Sequence, residues 1–193
     1  MTDSCSFAVD VFRTVCDRFA SKALDLRLLV EAAVPFGEWL NREAFLACKH
    51  REASYPFCEV AAEPTYTSEG VPDDDSNRNR GDLRVGGPDN GAHHCWAFAE
   101  FVLVHDGNRA GEEWRRTFVS VTDRLLRLGW KKSAALMIVV TASGNNRSPD
   151  HTGWDRPSLT DPFVIPLPGG GTVILTAFDI KQNPADTLVA PAG

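Results

Sequence analysis

The chain reads as an α/β protein with a mixed central sheet flanked by helices. Three observations predict this class. Apolar residues recur at helical spacing in the first fifty residues and again around residue 120. Short apolar runs bounded by Gly, Pro and polar clusters read as strands in the middle and near the end. The order is helices, then β, β, β, α, β and a hairpin. It joins strands both by turns and by a helix, which gives antiparallel and parallel pairing in one sheet.

From Ser4 to Ala20, Phe7, Val11, Val15 and Phe19 recur every four residues and predict a helix. The apolar stretch Ala23 to Val34 follows, stopped by Pro35 and Gly37. A further helix runs from Glu38 to His50, and Pro56 closes the helical region, because proline disfavours helix in the residue before it. Phe57 to Tyr66 reads as a strand. Thr67 to Arg80, with Gly, Pro and the run Asp73-Asp74-Asp75, reads as a loop. Gly81 to Val85 is a short strand, and the turn chemistry of GGPDNGA (Gly86 to Ala92) pairs it back on a strand from Cys95 to Val104.

Trp114, Phe118, Val121, Leu125 and Leu128 form one apolar stripe, so a helix precedes Gly129. Ala134 to Thr141 is a continuous apolar run, the pattern of a strand buried on both faces. After a polar loop from Ala142 to Pro162, Phe163 to Leu167 and Thr172 to Ile180 read as a final hairpin around PGGG, and the last dozen residues as a tail. The first three strands are expected as an antiparallel meander, and Cys95 to Thr141 as a right-handed parallel crossover. Residues 1–193 read as a single domain, with its core over 38–141, an N-terminal helical segment over 4–34 and a C-terminal hairpin over 163–180.

Composition narrows the function classes. Hydrophobic residues make up 43% and charged residues 24% of the 193, which excludes disorder throughout. No apolar run approaches the roughly 20 residues of a membrane helix, so no membrane partner is expected. The start, MTDSCSFAVDVF, has Asp3 and no basic region, so it does not read as a secretory signal. Five cysteines without a CxxC pair disfavour a disulfide framework and a structural zinc site, and point to a reducing cytoplasmic setting. A net charge of −6 argues against a generic basic nucleic-acid binder. Only five of the 20 basic residues are lysine; the arginine bias suits phosphate and carboxylate forks, and a GC-rich genome produces the same bias.

Three carboxylates stand in unusual places. Glu100 lies inside the strand Cys95 to Val104 and shares a face with Trp96, Phe98, Val102 and Val104. An ionised carboxylate there is costly unless it is paired or binds a metal. Asp82 lies in the preceding short strand, with Arg80 and Arg84 on its face. Glu43 has Trp39, Leu40, Ala44 and Ala47 as helical neighbours and points to the apolar side. Acids from a strand, its hairpin partner and a packed helix can converge, and such hard oxygen ligands suit Mg²⁺ or Mn²⁺. That ion could polarise a phosphodiester and acidify a bound water.

This arrangement resembles the PD-(D/E)xK nuclease-like superfamily, over Glu38 to Thr141. The resemblance implies a restriction-endonuclease-like αβββαβ core and metal-dependent phosphodiester cleavage, with nucleic acid as substrate. It matches Asp82 in GDLRV to the first acid and Glu100 in AEFV to the second, as the metal ligands, and Glu43 to the helix glutamate. The motif lysine is missing, because Val102 stands in its place. Arg84 is the best substitute and would stabilise phosphoryl charge without acting as a base; Lys49 and His105 are weaker candidates.

Each residue also has a plainer role. Glu100 could pair with Arg80 or Arg84, Asp82 could be a turn or arginine-paired acid, and Glu43 could be solvated on a rotated helix. His93-His94-Cys95 reads as loop residues, since strand neighbours point to opposite faces. Asp73 to Asp75 reads as solvated loop, and Trp154 as a contact residue or a small core under its loop. Two functions follow. One is a nuclease-like enzyme whose cleavage is impaired or depends on a partner. The other is a catalytically inactive protein on the same fold that acts as a protein-binding subunit, regulator or immunity-type protein. Oligomeric state, substrate and the role of residues 142–193 stay open.

Overall fold

The computed structural model describes residues 4–52, 57–63, 81–87, 96–105, 113–128, 133–143 and 157–181. Its elements run α1 (Ser4–Ala20), α2 (Ala23–Glu31), α3 (Gly37–Glu52), β1 (Glu59–Ala62), β2 (Leu83–Gly86), β3 (Trp96–His105), α4 (Glu113–Leu126), β4 (Ser133–Ser143), β5 (Phe163–Pro166) and β6 (Thr172–Asp179). The strands form one six-stranded sheet in the order β1-β2-β3-β4-β6-β5. Among the described strands only β3 and β4 pair in parallel, joined through α4, and the other pairs are antiparallel. The expected mixed sheet flanked by helices is therefore observed.

Strand alternation sorts the core into two layers. On one face, Leu83, Val85, Ala97, Ala99, Phe101, Leu136, Ile138 and Val140 pack with Phe7, Val11, Val15 and Phe19 of α1 and Leu40, Ala44 and Cys48 of α3. On the other, Phe98, Val102, Val104, Ala135, Met137 and Val139 pack with Val121 and Leu125 of α4. β4 thus contributes to both clusters, as its unbroken apolar run requires. Phe19 anchors the first layer, its ring 5.7 Å from Trp39 and 6.3 Å from Phe101.

Several boundaries differ from expectation. α2 stops at Glu31, short of Pro35, because Ala33 turns to a positive φ of 52° and its N–H caps the Val30 carbonyl. β1 spans Glu59–Ala62, shorter than the Phe57 to Tyr66 run, and 64–66 lie outside the described residues. The segment after Ala142 extends the sheet, with β6 on β4 and β5 outermost. The β5–β6 turn uses Gly169, Gly170 and Gly171 at φ of 85°, 116° and 84°, which other residues enter only with strain. The loop over 67–80 and the last dozen residues lie outside the described residues.

Candidate functional site

Glu100 is 0% exposed on the α4 face of β3, among Phe98, Val102 and Val104. Arg124 of α4 meets it. Its Nε donates to Oε1 and Oε2 at 3.2 and 3.1 Å, its Nη2 bonds Oε2, and its Nη1 reaches the Ser120 hydroxyl at 3.1 Å. α4 holds Arg124 there because it flanks the buried stripe, between Val121 and Leu125. The guanidinium thus sits over the carboxylate while its side chain remains 28% exposed.

Asp82 immediately precedes the first β2–β3 pair, Leu83–Ala99. Its Oδ2 accepts the Phe101 N–H at 2.8 Å, so the side chain serves the β3 backbone where the β2 ladder ends. Its Oδ1 accepts from the Asn41 amide of α3 at 2.8 Å. Burial pushes the Asp82 carboxyl above the usual carboxylate range. The Phe101 N–H, the nearby Arg124 charge and Asn41 pull it back, and the Glu63 charge adds to the rise. Asn41 Oδ1 is buried and has no hydrogen-bond partner among the described residues.

Glu43 is buried, as its apolar neighbours suggested, and not solvated on a rotated helix. It lies in the α1–α3 layer, on the opposite side of the sheet from Glu100. Arg18 of α1 holds it through Nε at 2.7 Å and Nη2 at 2.6 Å. Arg84 does not bond Asp82 among the described contacts. It pairs with Glu59 of β1, stacks 5.1 Å over the Trp96 ring, and leaves its buried Nε without a partner among the described residues. Lys49 pairs with Glu52 one turn on. His105 is buried at the end of β3, on the strand face of Phe101 and Leu103, away from Glu100. Val102 is fully buried in the α4-side apolar cluster, on the strand face of Glu100.

The structure therefore brings Asp82 and Glu100 to the neighbourhood of one arginine and sets Glu43 apart. Among the described residues, no three His, Cys, Asp or Glu side chains gather where they could hold a metal ion. Arg80, Asp73 to Asp75, His93-His94-Cys95 and Trp154 lie outside the described residues. The thiols of Cys16 and Cys48 are buried and raised, Cys48 to about 12, which removes them as nucleophiles at neutral pH. No described helix is long and apolar enough to cross a membrane.

Sequence reasoning passed over Arg124, Arg18 and Asn41. The first two had a readable signal: each sits one residue before an apolar stripe position, Leu125 and Phe19, where a long cation can bend over the edge of a core. Asn41 had none. Comparison of the chain with protein-family models, curated proteins and solved structures gives no match in any of the three.

Proposed function

We propose that this chain is a nuclease-like α/β protein that does not cleave phosphodiesters and acts by binding a protein partner. One observation carries the reading: the Arg124 guanidinium engages both oxygens of Glu100, at the carboxylate where the superfamily resemblance calls for a divalent ion. A guanidinium brings fixed charge but no Lewis acidity and no bound water to ionise. Val102 adds no base or donor beside it. The element order α3-β1-β2-β3-α4-β4, with β3 and β4 parallel, supports the nuclease-like core. Leu24 and Leu28, exposed one turn apart on α2, support a surface that engages another protein.

A second reading rests on Asn41. Its orphaned Oδ1 and the Asp82 carboxylate are adjacent hard oxygens, which would suit Mg²⁺ or Mn²⁺ in a site completed by a partner.

Thermal unfolding with and without millimolar Mn²⁺, on the parent protein and Asp82→Ala, separates the two. The binding-protein reading expects no Mn²⁺ shift in either protein, no cleavage of DNA or RNA, and a lower Tm for Asp82→Ala. A rise of about 5–10 °C in the parent that vanishes in Asp82→Ala would overturn it in favour of the metal site.

A further inference from the structure

α1 and α3 pack in opposite directions, so that Thr14 meets Arg51 while Arg18 meets Glu43. The small side chain of Ala47 leaves the seam between them open. A cleft of about 290 Å³ results, lined by Thr14, Asp17, Arg18, Ala47, His50 and Arg51. That volume lies at the lower edge of small-molecule sites, roughly 300–1,000 Å³, so it admits a small ligand and not a folded segment.

The cleft is rich in fixed donors. Arg18 is clamped by Glu43, which takes its Nε and Nη2 and leaves Nη1 unused by that pair. Arg51 gives Nη1 to the Thr14 hydroxyl at 2.7 Å and lies 5.9 Å over the Phe57 ring, with Nε and Nη2 unused by the Thr14 bond. The Thr14 hydroxyl itself donates to the Asp10 carbonyl at 2.8 Å, which turns its lone pair toward Arg51. Two guanidiniums held by protein contacts lose little further freedom on binding, which is how arginine forks select phosphate. His50 adds an exposed donor on the same rim.

Asp17 is the discordant member. Its exposed carboxylate repels a bare anion and accepts from a hydroxyl or amine. We infer that the α1–α3 cleft binds a small phosphomonoester that also carries hydroxyl groups, with the phosphate on Arg18, Arg51 and His50 and a hydroxyl on Asp17. This site lies on the sheet face away from Glu100 and is independent of the proposed function.

The test is thermal unfolding at matched ionic strength with ribose 5-phosphate, inorganic phosphate, ribose, or a single-stranded oligonucleotide without terminal phosphates. Ribose 5-phosphate is expected to raise Tm by about 5–10 °C once it exceeds its Kd about 100-fold, inorganic phosphate by less, and ribose not at all. Arg51→Gln should weaken ribose 5-phosphate at least about tenfold, the loss of roughly one charge-assisted hydrogen bond, and the surface variant His50→Gln about threefold. Asp17→Asn should weaken ribose 5-phosphate and not inorganic phosphate. His50→Gln keeps the test valid if Arg51→Gln fails to fold. No shift with tens of millimolar ribose 5-phosphate, an equal shift with ribose, or a shift with the oligonucleotide alone would overturn the assignment.

Discussion

On each face of the sheet a buried carboxylate meets an arginine, and the two pairs are built differently. Glu100 projects from the middle of a ten-residue strand into an apolar cluster, and Arg124 reaches it from a helix lying across that strand. Glu43 sits on a helix at the α1–α3 seam, beside an open cleft, and Arg18 reaches it from the neighbouring helix. A strand position cannot swing toward water, whereas a seam between helices lets water in when a partner is lost. The same ion pair should therefore be far more costly to break at Glu100, although the desolvation of both ions makes neither a net source of stability.

Breaking the α4 pair is the strongest challenge. Arg124→Leu leaves Glu100 buried without its cation and should cost about 3–5 kcal/mol in urea unfolding. The double variant Glu100→Met with Arg124→Leu should recover most of that loss. Failure to recover would mean that the pair itself, and not the stranded charge, stabilises the fold. Val102→Lys, which sets a lysine where the superfamily resemblance expects one, should cost about 2–4 kcal/mol, from overpacking and an ammonium buried in the cluster of Val121 and Leu125. The variant should gain no Mn²⁺-dependent cleavage in a plasmid-nicking assay.

On the other face, Arg18→Leu should cost only about 1–3 kcal/mol, because water and the cleft can solvate Glu43. A cost equal to that of Arg124→Leu would erase the distinction between the two faces.

Asp82 sharpens the comparison through pH. Its carboxyl is raised in the folded state, so between the ordinary Asp value of about 3.9 and the folded value the native state holds more protons than the unfolded chain. Its contribution to stability is greatest below that window and declines as pH rises through it. Asp82→Asn lacks this decline. Its stability relative to the parent should improve as pH rises from about 3 towards neutrality, as read by chemical denaturation at each pH. The new amide can also donate to the orphaned Asn41 Oδ1, which limits the loss at any pH. A parallel pH dependence for variant and parent would show that Asp82 is solvated.

Much of the architecture was legible in residue spacing. α1 runs over Ser4–Ala20 as its fourfold apolar repeat dictates, and the parallel β3–β4 pair follows from a stripe helix between two apolar strands. The oddness of Glu43, Asp82 and Glu100 was legible as well, since each sits where a carboxylate needs a partner. Their partners were not. Arg84 is close to Glu100 in the hairpin, yet Glu59 and Trp96 take it, because β1 lies on its other side. The choice of Arg124 depends on how far along β3 the helix α4 comes to rest, and no local pattern encodes that. The α1–α3 cleft depends on two helices separated by a third.

Among the described strands the sheet ends on β1 and β5, and the two rims differ in what they offer to another chain. β5 ends in Pro166 and is flanked by Pro162 and Pro168, residues that bring no N–H to a ladder. That rim cannot template a continuous added strand, which protects this apolar hairpin from edge-to-edge polymerisation. β1 carries no proline over Glu59–Ala62, though Glu59 and its partner Arg84 place charge beside it. Growth of the sheet by a foreign strand, whether in regulated assembly or in aggregation, would begin at β1.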